Sequence, residues 1–208
     1  LKGIALQLAG VASAARPSTD VDLLVDRDRA EILHHRLLEH GLEPHGTGTN
    51  QHLPCLVDEF GQGIELHIAL PHLAAPGDEA PDLEKLRRAA PLEPVPGWAA
   101  MRLAPVELTT AHLLVHALLQ HPDNPYHLLK LLADLQDLTV GTPRPALRRA
   151  ADRWLPTAAR PRADATWALL ERLEAGEAPA SLTDRWTAEG LLLRHHVALL
   201  TDGTYREH

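Results

Sequence analysis

The segment TDVDLLV (residues 19–25) decides how the first half of the chain folds. Its two acids, Asp20 and Asp22, alternate with the apolar residues Val21 and Leu23, and this period of two is typical of a β-strand. Because successive side chains of a strand point to opposite faces, both carboxylates must lie on one face. The segment therefore predicts a strand that carries two negative charges on one side.

A β-hairpin is predicted further along the chain. Two apolar runs, Leu53–Phe60 and Ile64–Leu70, are joined by the short loop Gly61-Gln62-Gly63, which is typical of a tight connection between antiparallel strands. In the second strand Glu65 and His67 are two residues apart, so their side chains share a face.

Most of the remaining chain shows helical spacing of leucine and alanine. The predicted helices are Ile4–Ala14, Asp28–His40, Asp82–Ala89, Pro105–Gln120, Tyr126–Leu138, Arg144–Trp154, Ala163–Ala175 and Leu182–Leu200. We expect an α+β fold, in which a front part with strands (residues 1–97) is followed by an all-helical C-terminal domain (residues 98–208). Leu1-Lys2-Gly3 resembles the end of a strand, so we also expect an upstream segment before Leu1.

The composition narrows the function classes. The net charge is −8, with 28 acidic and 20 basic residues, and this disfavours bulk nucleic-acid binding, which requires basic surface. No apolar run approaches the roughly 20 residues that a membrane helix needs. We expect a cytoplasmic protein, because no secretory signal is visible and the single cysteine, Cys55, forms no disulfide framework.

The paired aspartates indicate a metal site. Two carboxylates on one face of a strand repel each other unless a proton or a cation neutralises them. Magnesium suits such a hard oxygen site with few protein ligands, and a pair of such ions can activate a hydroxyl and stabilise leaving pyrophosphate. An isolated Asp-x-Asp is common on solvated strand edges, so the other acid, Glu65, is what favours the metal site here.

The order of these motifs resembles a known family. Leu1-Lys2-Gly3, Arg16, the segment Asp20–Val25 and Ile64-Glu65-Leu66-His67 are similar to the uncharacterised bacterial nucleotidyltransferases of the DNA polymerase beta-like superfamily. Helical motifs further on, at 113–116 and 128–138 with Asp134, extend the resemblance to about residue 140.

The resemblance implies a small mixed sheet that binds Mg²⁺ (or Mn²⁺) and a nucleoside triphosphate such as ATP. Asp20, Asp22 and Glu65 match the metal-binding and catalytic carboxylates, and Glu65 matches the residue that helps to deprotonate the acceptor hydroxyl. Gly3 matches the turn glycine before the first helix, whose N-terminus can face a phosphate.

One departure concerns the phosphate contacts. The superfamily prefers Gly-Ser at this turn, and here Lys2-Gly3-Ile4 occupies it, so we expect Lys2 to supply the contact as a point charge. Arg16 either contacts the triphosphate or forms a structural ion pair. His67 either positions the nucleotide or Glu65, or it is a structural histidine of the sheet.

Four other features have both a functional and a structural interpretation. His112 and His116, with His121 beyond, have the spacing of two zinc ligands on one helical face, but no acidic partner completes a metalloprotease pattern, so packing against the nucleotide site or plain surface is favoured. Lys130 and Asp134 are spaced for an ion pair along a helix, and the resemblance adds a role for Asp134 in closing the pocket. The four tryptophans (Trp98, Trp154, Trp167 and Trp186) and Cys55 are predicted to serve packing.

The predicted function is transfer of a nucleoside monophosphate from an NTP to a hydroxyl, with release of pyrophosphate. The acidic charge favours a small-molecule or protein acceptor over RNA. The alternative on the same fold is a catalytically degenerate module that binds nucleotide or another protein. A purely helical regulatory protein is disfavoured by the strands of the front half.

Overall fold

The structure, a computed structural model, describes residues 2–11, 20–70, 72–73, 81–95 and 97–176. The described helices are α1 (Lys2–Leu8), α2 (Arg27–Glu39), α3 (Leu83–Ala89), α4 (Val106–Val115), α5 (Pro125–Gly141), α6 (Arg144–Ala151) and α7 (Arg160–Glu174), with a π-helix (His116–Gln120) directly after α4. The strands are β1 (Asp20–Leu24), β2 (Glu43–His45), β3 (Cys55–Val57), β4 (Gly63–His67), β5 (Glu93–Val95) and β6 (Trp98–Leu103). The fold is α+β, as predicted.

A small mixed sheet forms the front of the molecule. Its strand order is β1-β4-β3-β2, with β1 parallel to β4 and the other pairs antiparallel. The predicted hairpin is confirmed as β3–β4. Helix α2 lies between β1 and β2 in the chain and contacts β3 and β4, with Ala30 buried. Among the strands that the structure describes, β1 is at one end of the sheet with β4 beside it, so the acids of these two strands lie near that end.

Helix α4 is the centre of the hydrophobic core. All residues from Leu108 to Val115 are buried, as expected for a helix that is packed on every side. The hydroxyl of Thr110 donates to the carbonyl of Val106 at 2.7 Å, so this buried polar group is satisfied within the helix. The core cluster also contains Leu6 of α1 and Leu70 after β4, so it reaches from the helices to the sheet.

Several sequence predictions are corrected by the structure. Lys2 and Gly3 belong to α1, so Gly3 is not a turn before the helix. A glycine costs only about 1 kcal/mol in a helix, and burial of Ala5 and Leu6 offsets that cost. Trp98 is 60% exposed rather than packed in the core.

Other elements were not anticipated. Strand β2 and the hairpin β5–β6 correspond to no predicted element, and that hairpin crosses residue 97. The division into domains 1–97 and 98–208 stays a prediction. Predicted helix Leu182–Leu200 and Trp186 lie outside the described residues, whereas Trp154 and Trp167 are buried as predicted.

The central position of α4 predicts a large effect of truncation. Leu114 is fully buried in the core cluster, so Leu114→Ala should lower the free energy of unfolding by about 2–5 kcal/mol through lost burial and a residual cavity. Urea denaturation followed by circular dichroism measures this change. Val140→Ala, at an exposed position of α5, should change it by less than about 0.5 kcal/mol. Equal effects of the two substitutions would contradict the assignment of α4 to the core.

Candidate metal and nucleotide site

Parallel pairing of β1 with β4 brings the predicted acids together. In this register Asp20 pairs with Gly63, Asp22 with Glu65, and Leu24 with His67. Side chains at paired positions of neighbouring strands point to the same face. Asp20, Asp22, Glu65 and His67 therefore share one face of the sheet, as the alternation of β1 and the spacing within β4 predict.

The centre of this face is a contact between one imidazole and two carboxylates. The Nε2 atom of His67 lies 2.9 Å from Oδ1 of Asp22 and 3.3 Å from Oε2 of Glu65. A carboxylate oxygen only accepts hydrogen bonds, so His67 donates from Nε2 to Asp22. The imidazole thus lies within contact distance of both carboxylates and hydrogen-bonds to one of them.

Two of these polar side chains, Asp22 and His67, are buried, which removes water that would otherwise hydrate them. Asp22 is 1% exposed and His67 is 6% exposed, whereas Glu65 and Asp20 are half-buried. A buried carboxylate needs hydrogen bonds or a cation to offset its lost hydration, and His67 supplies one such bond. Asp20, Asp22 and Glu65 thus place three carboxylates beside one imidazole on this face, a set of side chains that suits a cation.

The backbone around His67 fixes the position of its ring. The carbonyl of His67 accepts from the N–H of Val25 at 2.9 Å, which extends the pairing with β1 beyond its last residue. On the other side His52 forms an isolated antiparallel bridge with His67, and the two rings lie 5.6 Å apart. His67 is thus held from both neighbouring segments, and its ring is directed towards the acids.

Asp22, Glu65 and His67 have the geometry of a metal-ligand set. Their ligand atoms all lie within 4.8 Å of one another. Asp20 lies two residues before Asp22 in β1 and on the same face. Two carboxylates with one imidazole suit a hard divalent cation or a first-row transition metal. The residues present therefore fit a divalent metal, and the identity of the ion is not fixed by the donor set.

Cys55 belongs to this face, although its sequence context indicated packing alone. The β3–β4 register pairs Leu56 with Ile64, and one further step places Cys55 beside Glu65. Burial raises the pKa of the Cys55 thiol, and the negative charges of Glu65, Asp20 and Asp22 raise it further. No sequence motif marks this neighbour, because the proximity arises from strand pairing.

An apolar cavity adjoins Asp22. Its volume is about 290 Å³, and its walls come from α1, β1, α3 and β6, with Asp22 among the lining residues. Two cations also line it, Arg87 and Arg102, and neither was singled out in the sequence. Arg87 lies 3.3 Å from Asp26, just after β1. The cavity offers apolar walls, positive charge and a carboxylate at one site.

The remaining predicted site residues are less well defined. Lys2 and Gly3 lie in the first turn of α1, and the phosphate contacts predicted for them stay predictions. Arg16 lies outside the described residues. Asp134 of α5 is 2% exposed, and both its ion pair with Lys130 and its role in closing a pocket stay predictions.

Comparison with known families agrees with this geometry. A family model described as "uncharacterised nucleotidyltransferase" matches residues 1–154, which is most of the chain. The chain belongs to this nucleotidyltransferase family. No curated protein and no solved structure shows significant similarity to it. Among the described residues no helix has both the length and the apolar character required to cross a membrane.

The electrostatics of this nucleotidyltransferase face can be tested through its single cysteine. A raised pKa leaves less thiolate at pH 8, so iodoacetamide should alkylate Cys55 more slowly than it alkylates a small-molecule thiol. Glu65→Gln removes a nearby negative charge, lowers the pKa of Cys55 and should increase the alkylation rate at pH 8. The rate measured from pH 7 to pH 10 gives the pKa directly.

The matched control is Glu59→Gln, which removes an exposed acid from the turn between β3 and β4. It should leave the pH profile of alkylation unchanged. Identical profiles for the Glu65 and Glu59 variants would show that Glu65 does not act on the thiol, and would contradict the placement of Cys55.

Proposed function

We propose that this nucleotidyltransferase moves a nucleoside monophosphate from an NTP to a hydroxyl acceptor in a reaction that depends on a divalent metal, Mg²⁺ or Mn²⁺. The observation that carries the proposal is the pairing of Asp22 with Glu65 on one sheet face, with His67 between their carboxylates. Membership of the family supports nucleotidyl transfer in general. Beyond nucleotidyl transfer in general, we propose the metal, the products and the class of acceptor.

The carboxylates would hold the metal. Asp22 and Glu65 supply oxygen ligands, which Mg²⁺ and Mn²⁺ prefer, and Asp20 adds a third carboxylate on the same face. A bound divalent cation neutralises charge on the phosphates and lowers the pKa of a coordinated hydroxyl. Each carboxylate has two oxygens, so Asp22 can keep its hydrogen bond to His67 with one oxygen and bind metal with the other.

His67 would act as a positioning residue. Its Nε2–H fixes the rotamer of Asp22 and lies close to Glu65, in the manner of the outer partners that orient metal ligands. Its burial leaves little surface for a substrate. We therefore favour orientation of the acids over direct contact with the nucleotide, which was the other role predicted for this histidine.

The reaction needs one base and one leaving group. Glu65, half-buried and so accessible to substrate, would accept the proton of the acceptor hydroxyl. The hydroxyl oxygen would then form a bond to the α-phosphorus, and the bond from that phosphorus to the bridging oxygen would break. Pyrophosphate would leave with the electron pair of that bond. Lys2, Arg16, Arg87 and Arg102 are the candidate cations for its charge.

The cavity beside Asp22 has the size and polarity to bind a small group of the substrate. Its volume of about 290 Å³ and its mainly aliphatic walls suit a flat ring or an apolar group rather than a nucleic-acid strand. The net charge of −8 points in the same direction. We therefore favour a small-molecule or protein acceptor, and we expect the reaction to take place in the cytoplasm.

The metal and nucleotide site can be tested without knowledge of the acceptor. Calorimetric titration with non-hydrolysable NTP analogues should show binding in the presence of Mg²⁺ and little without it. Asp22→Asn removes the buried ligand charge, so it should weaken binding of the Mg²⁺–nucleotide by at least about tenfold. Asp28→Asn, at an exposed position of α2, is the matched control and should bind as the unchanged protein does.

Two outcomes would count against the site. Binding that is independent of Mg²⁺, or equal in the two aspartate variants, would remove the acids from nucleotide binding. If Mg²⁺-dependent binding is found but no label is transferred from an α-labelled NTP to any of a panel of hydroxyl compounds and proteins, the degenerate binding module gains over the enzyme.

The cavity makes a separate prediction about substrate binding. Ala100 of β6 is exposed and lines the cavity, so Ala100→Trp should narrow its mouth without disturbing the core. The dissociation constant of the Mg²⁺–nucleotide, or the KM of the acceptor once it is known, should rise severalfold. Ala99→Trp adds the same ring at an exposed neighbour that does not line the cavity, and it should have no effect. Equal constants for both variants would exclude the cavity from substrate binding.

A further inference from the structure

A second cluster of metal-ligand type lies in the helical part of the chain. The side-chain nitrogens of His116, His121 and His127 all lie within 4.8 Å of one another. This cluster, which we call the histidine triad, contains no carboxylate, in contrast to the set formed by Asp22, Glu65 and His67. Because its ligand atoms are all imidazole nitrogens, its chemistry differs from that of the acidic face.

The π-helix brings the first two histidines together. His116 and His121 are five residues apart, which in an α-helix would place them about 140° apart around the axis. Here the N–H of His121 bonds to the carbonyl of His116 at 3.2 Å, the i to i+5 bond of a π turn, so both lie on one side. Their ring centroids are 4.7 Å apart.

A tight turn brings in the third histidine. The carbonyl of His121 accepts from the N–H of Asn124, and the carbonyl of Asn124 accepts from the N–H of His127 in the first turn of α5. The side chain of Asn124 also caps α5 by accepting from the N–H of Tyr126. The rings of His121 and His127 stack with centroids 4.1 Å apart and planes 10° apart.

The irregular helix is held in place by the core. The carbonyl of Leu118 in the π-helix accepts from the guanidinium of Arg162 in α7 at 2.6 Å. Ala117 and Leu118 are buried, so the wide turn cannot rewind without repacking. π turns occur frequently at functional sites, and this one has a side-chain cluster that its geometry creates.

We propose that the histidine triad binds one divalent transition-metal ion of the Zn²⁺ class, with a fourth position open to water. Zn²⁺ binds histidine nitrogen at about 2.0–2.1 Å, and three histidines plus water form a known four-coordinate arrangement. The ligand atoms already lie within 4.8 Å of one another, and one of the stacked rings of His121 and His127 would rotate so that both nitrogens point to the same ion. His121 is exposed, so the ion and a water molecule can enter from solvent.

The histidines that form this cluster differ from those that helical spacing indicated. His112 and His116 were the expected pair, but His112 is buried and its ring centroid is 6.4 Å from that of His116. His127 takes the place of His112, because the π turn and the cap at Asn124 fold the chain back. A bound ion would join the end of the π-helix to the start of α5.

Cobalt provides a direct readout. Untagged protein, stripped with a chelator, is titrated with Co²⁺ in excess Mg²⁺, which saturates oxygen ligands but competes poorly for imidazole. The asparagine variant Asp22→Asn serves as the background, because it disables the acidic face. We expect one Co²⁺ per chain with the strong visible absorption of four-coordinate cobalt, and its displacement by Zn²⁺.

Single substitutions then locate the ion. His121→Asn is the first variant, because this exposed side chain contributes little to folding, and His127→Asn is the second. Each should weaken Co²⁺ binding by more than about tenfold, since the loss of a direct ligand exceeds the effect of an outer partner. His45→Asn, at an exposed histidine of β2, should bind as the background does.

A thermal measurement gives an independent check on folding. Zn²⁺ should raise the melting temperature of the background protein but not that of His121→Asn, while the two should melt alike without metal. The proposal is overturned if Co²⁺ binding is absent, if it is unchanged in both His121→Asn and His127→Asn, or if its spectrum is that of six-coordinate cobalt. These results do not depend on nucleotide binding, so they are separable from the proposed transferase function.

Discussion

Parallel pairing between β1 and β4 is the constraint on which the acidic site depends. The two strands are separated in the chain by α2, β2 and β3, yet their register sets Asp22 directly beside Glu65. A slip of one residue would turn one of the acids to the opposite face and break the contact with His67. Burial of Leu66 in β4 fixes the register, because only one alternation of the strand directs its apolar side chains into the core.

Much of this site was readable from the sequence because strand periodicity is a local property. The alternation in Asp20–Leu24 and the spacing of Glu65 and His67 each determine which side chains share a face. The pairing of the two strands was not readable from those patterns, and the family resemblance implied only that one mixed sheet carries the three carboxylates. Cys55 was assigned to packing alone, because its nearness to Glu65 exists only once β3 pairs with β4.

In the helical part, sequence patterns predicted the regular helices but not the irregular turn. Helices α4 to α7 were predicted close to their observed positions, since leucine spacing is a strong signal over several turns. The π turn at His116–Gln120 has no such signal, because it depends on contacts such as that between Arg162 and the carbonyl of Leu118. Hairpin β5–β6 was missed for a similar reason: its strands are short, and β5 contains a proline.

The two ligand clusters impose different demands on the fold. The acidic face brings together carboxylates at a sheet edge, where in the proposed function an exchangeable cation would bind together with the nucleotide. The histidine triad gathers three imidazole rings from a π turn and a helix start, and as proposed it would bind a softer ion. Excess Mg²⁺ would compete for the carboxylate oxygens of the first cluster but poorly for the imidazole nitrogens of the second, so the two proposed sites can be tested separately. As proposed, the first cluster would serve nucleotidyl transfer, and the second would join the π-helix to α5.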